Sequence, residues 1–197
     1  MDIPQNPVDT AFSPAIRTVQ QRKGSGEACD RLAMGRDITE GLAQFIATRT
    51  SFYLASASAD GQPYIQHRGG PAGFLRVLDA TTLAFADFRG NRQYISTGNF
   101  SENPKAFIFL MDYPNRRRIK IWGRMRVVED DPYLLAGLLT DGYRAMPEQA
   151  MVLEVAAWDM NCPQHIPPFI PRQDVAAALA ERDARIAALE AELAALR

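Results

Sequence analysis

The chain has 197 residues and a mass of 21.9 kDa, room for one domain of ordinary size with a buried core and an appendage. Hydrophobic residues make up 47% of it and charged residues 23%, which excludes wholesale disorder, a collagen-like repeat and a low-complexity chain. Twenty-two Lys plus Arg against 23 Asp plus Glu leave a net charge of -1, so no global field draws a polyanion and nucleic-acid binding is not expected.

The two cysteines, Cys29 and Cys162, lie far apart, form no metal-ligand spacing and are too few for a disulfide framework, which suits a reducing compartment. The N-terminal MDIPQNPVDT lacks the basic and apolar regions of a signal peptide, and no apolar run approaches the roughly 18 residues of a membrane span. A cytoplasmic protein without a membrane partner is therefore expected.

Residues 1–36 are polar, with Pro4, Pro7, Pro14 and a Gly24-Ser25-Gly26 break. They predict an N-terminal arm carrying one short helix around Pro14 to Gln21. From Asp37, the run ITEGLAQFIATR sets Ile38, Leu42, Phe45 and Ile46 at helical spacing, with Asp37 or Thr39 able to cap an amphipathic helix. Period-2 alternation then takes over. SFYLASASA and QPYIQHR, joined by Asp60-Gly61, predict two strands and a type I′ hairpin turn. GFLRVLD, TLAFADF, KAFIFLMD, RRIKIWGRMRVVE and QAMVLEVAAW follow as short segments rich in β-branched and aromatic residues. About seven strands in a domain spanning 37–171 suggest a barrel or sandwich. Between them, GNRQYISTGNF predicts a short helix opening at Gly90-Asn91, and DPYLLAGLLT another opening at Asp131-Pro132.

The tail, 172–197, is a separate element of Ala, Glu, Leu and Arg. Val175, Leu179, Arg182, Ile186, Leu189, Leu193 and Leu196 alternate at spacings of four and three, the seam of a coiled coil that Arg182 interrupts. Such a tail either recruits a protein partner or higher oligomer, or packs back on its own domain. A helix this short needs a partner surface in both cases.

Three clusters carry polar chemistry. Gln66-His67-Arg68 end a strand and are followed by Gly69-Gly70, where a backbone can approach a flat ligand; a plain glycine turn is the other reading. Arg89-Gly90-Asn91-Arg92-Gln93 sits where a strand hands over to a helix. There free backbone N–H groups, a helix dipole and guanidinium groups converge on a phosphate-sized anion. Alone, an Arg-rich loop is also what a solvated surface looks like. Arg116 to Lys120 begin a strand whose alternation sends Arg118 and Lys120 to one face and Ile119 and Ile121 to the other, forming either a cationic ligand face or the charged shield of an edge strand.

HExxH, P-loop, GxSxG and GxGxxG motifs are absent, and two histidines, His67 and His165, are too few for an imidazole-based metal centre. With Pro163, Pro167 and Pro168 around it, NCPQH reads as a rigid connector, and no metal is expected. The pattern points to chemistry supplied by a bound cofactor.

Taken together, SFYLAS, DGQPYIQHRGGPAGFLRVLD, FADFRGNRQYISTGN, FLMDYPNRRRIKIWGR and WDMNCPQH resemble the pyridoxamine 5′-phosphate oxidase-related, FMN-binding split-barrel family from about Arg36 to Pro167. That resemblance implies a mainly β, α+β fold, a six-stranded antiparallel split barrel with flanking helices. It also implies a homodimer with FMN at the subunit interface. By resemblance, Gln66, His67, Arg68 and the adjoining Gly69 line the isoalloxazine and ribityl region, and Asn91, Arg92 and Gln93 hold the phosphate. Arg118 and Lys120 come next, reaching across from the partner chain, while Trp158, Asn161, Cys162 and Gln164 close the flavin site. The Ser-Arg-Lys phosphate signature of the vitamin B6 oxidases is replaced here by Asn91-Arg92-Gln93, and their C-terminal Arg and His motif is missing. The expected activity is an FMN-dependent oxidoreductase on another small-molecule substrate. A flavin-binding or sensing protein that does not turn over is the alternative, and related split barrels take deazaflavin or haem in place of FMN.

Overall fold

The structure, a computed structural model, describes residues 3–160 and 163–196. It divides into two compact units, Met1–Met111 with Arg118–Cys162 and Asp112–Arg117 with Pro163–Arg197.

In the first unit, the polar N-terminal segment forms three short helices, α1 (Pro7–Ala11), α2 (Pro14–Arg22) and α3 (Gly26–Asp30). A proline opens each of the first two, where its fixed φ suits the first helical position. The side chains of Asn6 and Ser13 accept from the N–H groups of Val8 and Ile16 at 3.2 and 3.4 Å. The helix predicted around Pro14 is α2. The helices before and after it were not legible, because neither carries an amphipathic repeat, yet α1 buries Val8 in a cluster with Met34 and Ala157. The next helix is α4 (Glu40–Ala47). Of its two candidate caps Thr39 serves, its hydroxyl accepting from Leu42 N–H at 3.3 Å, and Leu42, Phe45 and Ile46 face the core.

The sheet is built from β1 (Ser51–Ala57), β2 (Pro63–Gly69), β3 (Arg76–Asp79), β4 (Thr82–Phe88), β5 (Lys105–Asp112), β6 (Arg117–Val128) and β7 (Pro147–Met160). Helix α5 (Ile95–Glu102) lies between β4 and β5 in the chain, and α6 (Pro132–Leu138) between β6 and β7. The strand order is β2-β1-β5-β6-β7-β4-β3, giving an antiparallel α+β fold of seven strands with flanking helices. The family resemblance implies six strands; the short alternating or β-branched and aromatic runs in the sequence mark all seven, the short β3 included.

Alternation along the strands sends Phe52, Leu54, Phe85, Ile108, Leu110, Ile119, Ile121 and Leu153 into one core. Burial of each such side chain contributes about 1.5–3 kcal/mol. Strands β4 and β7 are apolar on their other face as well, where Ala84, Ala86, Ala150 and Val152 pack with Leu138 of α6. Asp131 caps α6 by accepting from Leu134 N–H at 2.8 Å.

Three sequence expectations are corrected. The β1–β2 hairpin has no two-residue turn: Gly61 N–H donates to Ser58 C=O at 3.0 Å and Ser58 N–H to Gln62 C=O at 3.1 Å. Gly61 stands alone in the left-handed region, at φ 92, the longer bulged arrangement that a trailing left-handed glycine permits. Helix α5 opens at Ile95 rather than Gly90-Asn91, because the Asn91 side chain folds onto Gln93 N–H (3.1 Å) in a local turn that competes with the helix. Strand β6 lies between β5 and β7, so Arg118 and Lys120 do not shield an edge, although their alternation with the buried Ile119 and Ile121 is as expected.

In the second unit Tyr113 and Phe169 stack with ring centroids 4.5 Å apart, and Arg116 donates to Pro163 C=O at 3.3 Å. Helix α7 (Arg172–Ala195) follows Pro171 and has no buried residue. Among the described residues no helix is long and apolar enough to cross a membrane.

Candidate functional site

Exposure alternates along β2, so Tyr64, Gln66 and Arg68 share its inner face and Ile65, His67 and Gly69 its outer one. Inside, Arg68 Nη1 is paired with Asp87 Oδ1 of β4, the two side chains being only 12% and 9% exposed. The other Asp87 oxygen accepts from Gln149 Nε2 of β7 at 2.9 Å, and the same amide donates to Thr97 Oγ1 of α5 at 2.9 Å. Ser96 Oγ donates to Gln66 Oε1 at 3.0 Å. Two strands, the edge strand and the first turn of α5 are thus braced by one polar network, and Arg68 cannot swing away.

The loop from Arg89 to Tyr94 closes the other side. Arg92 and Tyr94 hold φ of 61 and 51 without being glycines, a sparsely populated conformation that persists only where surrounding contacts impose it. Those contacts meet at Glu148: it accepts from Arg89 Nε at 2.9 Å and from the Tyr94 hydroxyl at 3.2 Å, while Arg92 Nε donates to the Tyr94 oxygen at 3.4 Å. Hydrogen bonding from Arg89, with a smaller share from Tyr94, holds the Glu148 carboxyl below the usual glutamate range. The Tyr94 hydroxyl, with Glu148 behind it, raises the Arg92 guanidinium above its ordinary value. Tyr94 is also the N-cap of α5 and makes no side-chain cap bond, so the first N–H groups of α5 lack a side-chain acceptor at the positive end of the helix dipole.

These elements surround a small pocket of about 40 Å³, lined by Tyr64, Gln66, Arg68, Asn91, Arg92, Gln93 and Glu148 among others. That volume is well below that of a pocket enclosing a whole cofactor and is the size of a small anionic group. Its two carboxylates are already engaged, Asp87 by Arg68 and Gln149, Glu148 by Arg89. What remains is an anion-binding surface: the uncapped α5 terminus, the exposed Arg92, and Arg68, whose Nε is buried without a hydrogen-bond partner. Leaving such a donor unmatched costs about 1–3 kcal/mol, more when charged, so the pocket fits a phosphate-bearing group.

Of the residues singled out from sequence, Gln66, Arg68, Asn91, Arg92 and Gln93 are brought together here. His67 faces away, in edge contact with Tyr53 at 5.7 Å, and Gly69 is on the same outer face. The neighbouring Gly70 leaves no platform for a flat ligand. A Cβ there would sit 2.7 Å from Cγ of Phe74, so the chain's own phenyl ring explains the missing side chain. Arg118 and Lys120 stand on the outer face of β6, Lys120 paired with Asp159 at 2.9 Å and lying over the Trp122 ring. Trp158 covers Gly35 and donates from Nε1 to Asp37 C=O at 2.9 Å. Gln164 is exposed and belongs to the second unit. Asn161 and Cys162 lie outside the described residues. Among the described residues no three His, Cys, Asp or Glu side chains converge on a metal position.

Sequence reasoning missed Asp87, Gln149, Ser96, Thr97, Tyr94 and Glu148. For Asp87 the signal existed: in TLAFADF it has the parity of Leu83 and Phe85, which places a carboxylate on a core-facing row where it needs a partner.

A family model described as pyridoxamine 5′-phosphate oxidase matches residues 38–162. Among solved structures, HupZ of Group A Streptococcus is similar with a TM-score of 0.52 and 19% identity, over 68% of this chain and 99% of HupZ. A putative pyridoxamine 5′-phosphate oxidase from Lactobacillus delbrueckii gives 0.49 and 20%, over 65% and 99% of the two chains. An FMN-binding protein from Syntrophomonas wolfei gives 0.48 and 13%, over 74% and 97%. The HupZ likeness shows a shared fold. No curated protein matches the sequence.

Proposed function

The chain belongs to the pyridoxamine 5′-phosphate oxidase family, and from that premise we propose that it is an FMN-dependent oxidoreductase acting on a small molecule. The observation that supports this best is the convergence, on one pocket, of the uncapped α5 terminus, Arg92 and the buried, unmatched Nε of Arg68. Arg68 and Arg92 hold the phosphate together with the α5 amides, since a guanidinium fork matches phosphate oxygens and a charged hydrogen bond contributes about 1.5–3 kcal/mol. Asn91 and Gln93, tied to each other at 3.2 Å, fix the loop that presents Arg92. Gln66 offers its amide toward the ribityl side, and Asp87 with Gln149 keeps Arg68 in place.

When bound, FMN supplies two-electron transfer through its ring system, and the protein supplies orientation and fixed dipoles. The active form is a homodimer. Ile65, Tyr53, His67, Phe107, Trp122 and Lys120 lie on the outer faces of β2, β1, β5 and β6, with Ile65 66% exposed. A second copy covering that face brings His67, Arg118 and Lys120 to a site that one chain leaves incomplete, where a cation stabilises negative charge developing on the ring.

The test begins with the visible absorption of freshly purified protein, which should be yellow. The flavin band should then bleach with NADH, NADPH or a reduced B6 vitamer without oxygen and return when oxygen or a quinone is added. Binding without turnover by any donor and acceptor would leave a flavin-binding protein and remove the enzyme. A haem or deazaflavin band would replace FMN.

A further inference from the structure

Helix α7 leaves its whole apolar seam uncovered. Val175, Leu179, Ile186, Leu189 and Leu193 are each between 41% and 62% exposed, and no residue of the helix is buried. The alternating spacing assigns Leu179, Ile186 and Leu193 to position a and Val175, Arg182 and Leu189 to position d, with Asp183 and Glu190 at e and Arg185 and Glu192 at g. We propose that α7 pairs with α7 of a second copy of this chain as a parallel, in-register, two-stranded coiled coil. This goes beyond the flavin reading and does not rest on it.

Charge selects both the partner and the direction. In a parallel pair a g residue faces the e residue five positions on in the opposite helix, so Arg185 meets Glu190 of the second copy, and symmetry makes the contact twice. In an antiparallel pair e faces e, and the best apolar overlap sets Asp183 against Glu190, two like charges. The middle of the seam agrees, since Ile186 at a with Leu189 at d is the combination that favours two strands. Arg182 sets the register. Aligned, the two Arg182 side chains share one layer beside Asp183 of the opposite helix; a shift of one heptad puts each guanidinium into an apolar layer. A polar seam residue of this kind costs stability and specifies alignment.

The test uses the full chain with Cys29→Ser and Cys162→Ser and one new cysteine at a time, oxidised and run on a non-reducing gel. Val175→Cys and Leu189→Cys, both at d, should each give a disulfide-linked dimer, while Ala184→Cys, at the outward f position, should stay unlinked. Adding Arg185→Glu to Leu189→Cys should abolish most of the linked species, and adding Glu190→Arg as well should restore it. Linkage at Leu189→Cys without Val175→Cys would overturn the parallel arrangement, because antiparallel helices bring only their centres together. No linkage at either d position, equal linkage at Ala184→Cys, or a charge swap that fails to restore linkage would overturn the pairing itself. None of these readouts depends on flavin, so their failure is distinguishable from failure of the FMN site.

Discussion

The pocket beside α5 and the helix α7 handle polar and apolar groups in opposite ways. In the pocket an arginine and an aspartate are drawn almost out of water, and Gln149, distant in sequence, donates to that aspartate and to Thr97. Along α7 a row of aliphatic side chains stands in water with nothing of its own unit over it. The polar network of the pocket closes within one chain, whereas the helix is regular in itself and its apolar seam has no cover of its own.

The largest test of that contrast is Arg68→Ala, which leaves Asp87 charged, buried and unpaired. Unfolding in urea should show a loss of about 3–5 kcal/mol, the cost of breaking a buried pair from one side. Replacing both partners, Arg68→Met with Asp87→Leu, should recover part of it. A loss below about 1 kcal/mol from the single change would mean the pair is not the brace described here.

Arg92→Ala separates binding from stability. FMN affinity, followed by quenching of flavin fluorescence, should fall by about 1.5–3 kcal/mol, with the unfolding midpoint unmoved because the side chain is exposed. Gly70→Ala should cost about 1–3 kcal/mol in stability through overpacking against Phe74, while FMN binding to the remaining folded protein changes little. A large affinity loss with intact stability would return Gly70 to the ligand.

Smaller effects come from the surface. Because Arg89 lowers the Glu148 pKa in the folded state, the tie contributes fully above the ordinary glutamate range and is lost as pH falls through the lowered value. Thermal melts across the carboxylate range should show a shallower acid decline for Glu148→Gln than for the parent. Smallest of all, deleting residues 172–197 should leave the unfolding free energy of the first unit within about 0.5 kcal/mol while removing cross-linking through α7. A substantial destabilisation would mean that α7 packs on its own chain.

Much of this molecule is legible in its sequence, for local reasons. The strands are marked by alternation or by short runs of β-branched and aromatic residues between turns, Thr39 and Asp131 by their place ahead of apolar runs, and the α7 seam by its spacing. Gln66 and Arg68 stand out in the sequence as one polar cluster and Asn91, Arg92 and Gln93 as another, and the fold brings the two to one pocket. The start of α5 was misjudged because left-handed φ at Arg92 and Tyr94 is imposed by Glu148, which lies far along the chain in β7. The same distance hid Asp87 and Gln149. His67 and Arg68, neighbours in the chain, lie on opposite faces of β2 by the parity of the strand.

We propose that the pocket between β2 and the α5 terminus recognises a flavin by its phosphate. Calorimetric titration of the purified apoprotein with FMN and with riboflavin tests it most directly, since the two differ by that phosphate alone. FMN should bind at least about tenfold more tightly, as one charged hydrogen bond of about 1.5–3 kcal/mol requires, and Arg92→Ala should shrink the difference. Equal affinity for the two, unchanged in Arg92→Ala, would contradict the account.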